Sequence, residues 1–117
     1  FRKMILSSYD SQCCITGLPI KELLVASHII PWSQNPKTRL NPQNGLCLNS
    51  LHDKAFDRGY ITISTSYQVV ISSKIKNFDS KIITMITDYQ GAKMLLPRRF
   101  LPKQEYLNYH RENIFRA

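Results

Sequence analysis

Two short stretches of this chain belong together: Ser27-His28-Ile29-Ile30-Pro31-Trp32, and the sixteen residues that open on Asn44-Gly45 and close on Arg58-Gly59. The first sets a histidine near the end of the apolar run 23–30, which reads as a buried strand stopped by Pro31. A loop rich in Pro, Asn, Gln, Lys and Arg follows over 33–45. The second stretch then gives a turn pair, a minimal strand at 46–48, and a helix that Ser50 opens and Gly59 ends. Strand, loop, strand and helix in that order describe a small hairpin-and-helix unit, with the histidine at one strand end and acids on the helix.

The rest of the chain supplies elements to pack around that unit. Apolar residues at 1, 4, 5 and 9 have helical spacing, and Asp10-Ser11 ends the run. Residues 13–15 are short and apolar, and Thr16-Gly17-Leu18-Pro19 reads as a turn. Period-two alternation over 60–65 and 67–72 predicts a β-hairpin. A helix is expected over 80–87, against the β-branched run Ile82-Ile83-Thr84, and a strand over 91–96. Residues 102–115 predict the clearest helix, with Pro102 near its start. The fold class is α+β, and 117 residues suffice for a single domain over 1–117 with one modest core.

His28 on an apolar strand is open to two readings: a hydrogen-bonded core residue, or a general base. Asn44-Gly45 is the commonest short hairpin signal and fits a type I′ turn, while the Asn44 amide could also brace the loop that carries His28. Ser50-Leu51-His52-Asp53 matches a capping box, so Asp53 could bond back to the helix start. Asp57 fits that account less well. It sits in the last helical turn, where the negative end of the dipole disfavours a carboxylate unless Lys54, Arg58 or a cation offsets it. Asp53 and Asp57 are four apart and share a helix face, which suits a hard cation such as Mg²⁺ or Mn²⁺. His52 lies one position round; its ring nitrogen as a further ligand would admit Ni²⁺ or Zn²⁺. A neutral imidazole facing a metal-holding helix is what phosphodiester hydrolysis needs: a base for water and a cation for the developing charge.

Composition narrows the partner. Sixteen Lys and Arg against eight Asp and Glu leave a formal charge of +8, which favours a polyanion, nucleic acid first. No apolar run reaches the length of a membrane span, and no secretory signal opens the chain. Three cysteines, Cys13, Cys14 and Cys47, make neither a disulfide framework nor a paired zinc motif, so a reducing cytoplasm is the expected location. The chain starts at Phe, which suggests the C-terminal part of a longer protein, with any specificity or sensor domain outside this stretch. Self-association into a dimer stays open.

The segments quoted above resemble the HNH endonucleases with their ββα-metal (His-Me finger) site, in the branch found in bacterial restriction and phage-defence nucleases. The resemblance also takes in Phe1-Arg2, Tyr9, Cys13 to Gly17, and Tyr106-Leu107 with His110-Arg111. It implies His28 as general base, Asn44 as the residue that positions it, and Asp53, nine residues after Asn44, as helix metal ligand with Asp57 four further on. It implies a divalent cation and a DNA substrate, with Arg58, Lys54, Arg39 and Lys37 meeting phosphates. Many relatives place a metal-ligating acid or histidine just before the base; this chain has Ser27 there. Two alternatives remain at this stage: a non-catalytic nucleic-acid-binding module, against which the retained acids argue, and the same chemistry on RNA.

Overall fold

The computed structural model describes residues 1–31 and 33–117; Trp32 of the histidine motif lies outside the described residues. Helix α1 (Arg2–Ser8) is followed by a 3₁₀ turn, Lys21–Leu23, and strand β1 (Leu24–His28). A second 3₁₀ turn, Pro42–Asn44, leads into β2 (Gly45–Asn49) and directly into α2 (Ser50–Asp57). Strands β3 (Ile61–Ile63) and β4 (Val69–Ile71) form a second hairpin. Beyond it lie two 3₁₀ segments, Ser73–Asn77 and Lys81–Ile83, then a single helical turn, α3 (Thr84–Thr87), and α4 (Gln104–Asn113). The architecture is α+β, with two separate two-stranded antiparallel sheets among the described residues.

The first hairpin is the centre of the molecule. In β1–β2, Leu24 pairs with Asn49 and His28 with Gly45, without a break in register. Every residue of β2 is buried, so both its faces are covered: Leu46 and Leu48 project to one side, Gly45 and Cys47 to the other. Helices α1 and α2 both pack on β1 and β2. On the α1 side the approach is close. A Cβ on Gly45 would lie 2.5 Å from Ile5 Cδ1 and 2.8 Å from the Phe1 ring, so only glycine lets α1 sit this near the strand. Phe56 from α2, Ile61 and Ile63 from β3 and Leu107 from α4 join the same core.

Several sequence expectations need correction. The strand expected over 23–30 is shorter, because Leu23 closes a 3₁₀ turn and the backbone after His28 leaves the ladder to bond with Asn44. Asn44-Gly45 is no type I′ turn: Gly45 is extended at φ −135°, and Asn44 ends a 3₁₀ turn capped by Asn41. The helix over 80–87 breaks into Lys81–Ile83 and α3, as its β-branched run foreshadows. The strand over 91–96 reduces to one bridge between Gln68 and Lys93. The last helix starts at Gln104, two residues after Pro102, and ends at Asn113.

Candidate active site

The residues that flank His28 fix it from more than one direction. Its ring stacks on Phe1, 4.2 Å between centroids and 8° from parallel. Its Nε2 lies 2.8 Å from the carbonyl oxygen of Arg39. A carbonyl can only accept, so Nε2 carries the hydrogen and, in the neutral ring, the lone pair falls on Nδ1. The ring is half-buried at the end of β1.

Asn44 braces the loop that carries Arg39. Its side chain is fully buried and bonds both polar groups of Ile30: Oδ1 accepts from the Ile30 N–H at 2.8 Å, and Nδ2 donates to the Ile30 carbonyl at 3.2 Å. Nδ2 also reaches the Thr38 carbonyl, 3.4 Å away, and the Asn44 carbonyl accepts from the Ile29 N–H at 3.0 Å. One amide thus ties the exit of β1 to the far side of the loop, one residue from Arg39. Each bond contributes about 1 kcal/mol, and each buried group left without its partner would cost roughly 1–3 kcal/mol.

Helix α2 carries the acids. Its N-cap is Asn49, not Ser50: Asn49 Oδ1 accepts from the His52 N–H at 2.9 Å, while the Ser50 hydroxyl donates to the Leu23 carbonyl. The capping-box reading of Asp53 is therefore corrected. Asp53 lies one position beyond the third helical residue, half-buried, and no hydrogen-bond or ionic partner of its carboxylate is found among the described residues. Asp57 is exposed and has Arg58 Nε at 4.0 Å, a loose solvated pairing that contributes little. Ser27 is 4% exposed and, by strand alternation, faces the side opposite His28.

His52 does not join the acids. It turns inward with Ala55 and Phe56, at 2% exposure. Its Nδ1 bonds Asn49 Oδ1 at 3.0 Å, its Nε2 is enclosed without a hydrogen bond among the described residues, and its ring meets Tyr89 edge-on. Burial lowers its pKa, opposed more weakly by the Met85 backbone, so it stays neutral and interior. As a metal ligand His52 is thus replaced by His52 as a packing residue. Among the described residues no group of three or more His, Cys, Asp and Glu side chains is assembled around a metal position. What the helix offers is two carboxylates on one face, a donor set that fits a hard cation keeping most of its own waters.

Of the expected phosphate contacts, Lys37, Lys54 and Arg58 are exposed, and Arg39 is half-buried with its carbonyl engaged by His28. Sequence reasoning missed Phe1 as the stacking partner and Arg39 as a backbone acceptor. It also gave no role to His110, quoted in the resemblance alone. His110 is 1% exposed, with Nε2 donating to the Phe56 carbonyl at 2.8 Å, Nδ1 accepting from the Thr62 hydroxyl at 2.7 Å, and its ring stacked on Phe56. It clamps the end of α2 to β3 and α4.

A histidine at the end of a two-stranded hairpin, its loop braced by a buried asparagine and an acid-bearing helix folded back on the strands, defines a ββα nuclease arrangement. Residues 13–64, which hold all of these groups but Phe1, match the family described as HNH endonuclease. The structure is similar to a solved one described as "Modification dependent TagI restriction endonuclease", with a TM-score of 0.64 and 18% identity over 97% of this chain. The chain spans 36% of that protein's length, and at this identity the likeness speaks for the fold. No curated protein matches the chain.

Proposed function

We propose that this domain is a restriction-type DNA endonuclease that uses His28 as general base and a divalent cation, Mg²⁺ or Mn²⁺, held by α2. The observation that carries the reading is the bond from His28 Nε2 to the Arg39 carbonyl, since it sets the tautomer that a base requires. His28 Nδ1 takes a proton from the attacking water. Phe1 and the Arg39 carbonyl keep the ring from rotating as the proton is taken. Asn44 holds the loop so that the carbonyl stays aligned. Asp53 and Asp57 would hold the cation, which when bound supplies Lewis-acid stabilisation of the phosphate and the leaving oxygen. Lys54, Arg58 and Lys37 stand exposed to meet flanking phosphates.

The +8 charge supports a nucleic-acid substrate, and the restriction enzyme of similar fold supports DNA. Three buried thiols, Cys13, Cys14 and Cys47, suit a reducing cytoplasm, and among the described residues no helix is long and apolar enough to cross a membrane. Target choice belongs to sequence outside these 117 residues, as the share of the TagI chain matched suggests. Plasmid cleavage with EDTA, Mg²⁺ and Mn²⁺ tests the reading. Nicking in the metal lanes and none in EDTA is the expected result; equal cutting in EDTA, or cutting of RNA in place of DNA, would contradict it.

A further inference from the structure

Helix α1 presents an exposed edge of Arg2, Lys3, Met4 and Ser7, and a hollow lies on each side of it. One, about 410 Å³, runs between α1 and the segment 98–100 and is lined by Lys3, Ser7, Arg98 and Arg99. The other, about 560 Å³, is lined by Arg2, Lys3, Ser7 and Lys21. Five cations thus border two hollows that share Lys3 and Ser7, and no carboxylate lines either among the described residues.

The surface is built, and is more than a chance of composition. The Arg98 N–H bonds the Ser8 carbonyl at 2.8 Å, which fixes the 98–100 segment to the end of α1. Arg2 donates to the Leu24 and Lys21 carbonyls, bonds that orient its charge without cancelling it, whereas Asp10, at 2.8 Å, fixes the Arg98 guanidinium and offsets part of its charge. Arg99 is exposed beside them. The surface begins close to the site: Phe1, at the head of α1, stacks on the His28 ring, and Lys3, about 200° round the axis from Phe1, stands on the outer side of the helix. The seven residues of α1 extend for about 10 Å, the axial rise of roughly three phosphates on one strand of a duplex.

We propose that the α1 edge, with Lys3, Arg98 and Arg99, is a second, non-catalytic phosphate site that carries the DNA backbone flanking the scissile bond. The proposal rests on the nuclease reading, which places a phosphodiester at His28. The contacts are to phosphate, so they add affinity without reading sequence. An acidic peptide would meet the same charge, but the nuclease reading already places DNA at His28, beside the head of this helix.

The test uses Lys3→Glu with Arg99→Glu in a His28→Ala background, so that DNA is bound and not cut. Binding is measured against salt for a duplex of about 10 base pairs and one of about 25. With Lys3 and Arg99 intact, the longer duplex should show the steeper log–log salt dependence; the double change should flatten it by about 2, at roughly 0.9 per phosphate lost, and erase the difference between lengths. A slope on the long duplex that stays the same overturns the proposal and leaves the edge to an acidic protein partner. Should the charge-reversed pair melt early, Lys3→Gln with Arg99→Gln makes the same comparison: a flattened slope supports the site and an unchanged one overturns it. Failure of the nuclease reading looks different: the unaltered chain cuts neither duplex with Mn²⁺, whatever the slopes.

Discussion

His28 and His110 are held by the same device in two parts of the molecule. Each points Nε2 at a backbone carbonyl 2.8 Å away, and each stacks nearly parallel on a phenylalanine, Phe1 at 4.2 Å and Phe56 at 3.7 Å. The difference lies in surroundings. His110 is sealed between α2, β3 and α4, and Thr62 takes its Nδ1. His28 stands half-buried at a strand end. Orientation alone therefore does not distinguish the two rings. Burial does: the same fixed imidazole is a sealed pillar at His110 and a half-buried group at a strand end at His28, where the proposed mechanism uses it as base.

The largest effect that separates the two concerns stability. His110→Ala removes a stacked ring and leaves the Phe56 carbonyl and Thr62 hydroxyl without it, so it should cost about 3 kcal/mol in urea unfolding. His28→Ala should cost less, about 1 kcal/mol, since its ring is only half-buried. Equal losses would break the contrast.

Acid should expose the same contrast. Burial lowers the His110 pKa to about 4, with the Phe56 carbonyl and Asp57 opposing and Arg111 assisting. Its unfolded value is about 6.5, so between those values the unfolded chain binds the extra proton. Stability from this group is thus complete above about pH 6.5 and is lost as pH falls toward about 4, by roughly 3 kcal/mol. Thermal melts from about pH 7 to about pH 4 check this against His110→Gln, which should lack the His110 share of the acid loss. Parallel curves for the two proteins would remove His110 from it.

Smaller effects distinguish the cap from the acids on α2. Asn49→Ala should cost about 1 kcal/mol through the lost N-cap, with no change in metal requirement. Asp53→Ala should leave stability nearly unchanged and raise the Mn²⁺ concentration for half-maximal cleavage. The reverse pattern would restore Asp53 as a capping residue. Ser27→Asp sharpens this further. A carboxylate at a 4% exposed position should destabilise the chain in EDTA and regain stability with Mn²⁺ if it reaches the cation; a melt indifferent to Mn²⁺ would place Ser27 outside the ligand sphere.

Periodicity and punctuation made the elements legible: α1, both hairpins and α4 stand where the apolar spacing placed them, with ends moved by a few residues. What the pattern could not show is where side chains and carbonyls meet across loops. Ser50-x-x-Asp53 imitates a capping box so well that Asn49, one residue earlier, escaped notice, although Asn is as good a cap as Ser. The Arg39 carbonyl orients a histidine eleven residues away through a loop whose path has no period, so no sequence signal points to it. Asn44 was legible as a brace because a buried amide in a turn has few other uses. Its hairpin turn was misread because the same dipeptide serves a 3₁₀ exit. His52 drew attention by its neighbours, yet a helix position one step round from Asp53 faces the core.

The central claim is that His28 is the base. Its most direct measurement is the single-turnover rate of plasmid cleavage by His28→Ala at saturating Mn²⁺, with the melting temperature recorded on the same preparation. A fall of about 10²–10⁴-fold in rate with the fold intact is the expected result. A rate near that of the unaltered chain would contradict it.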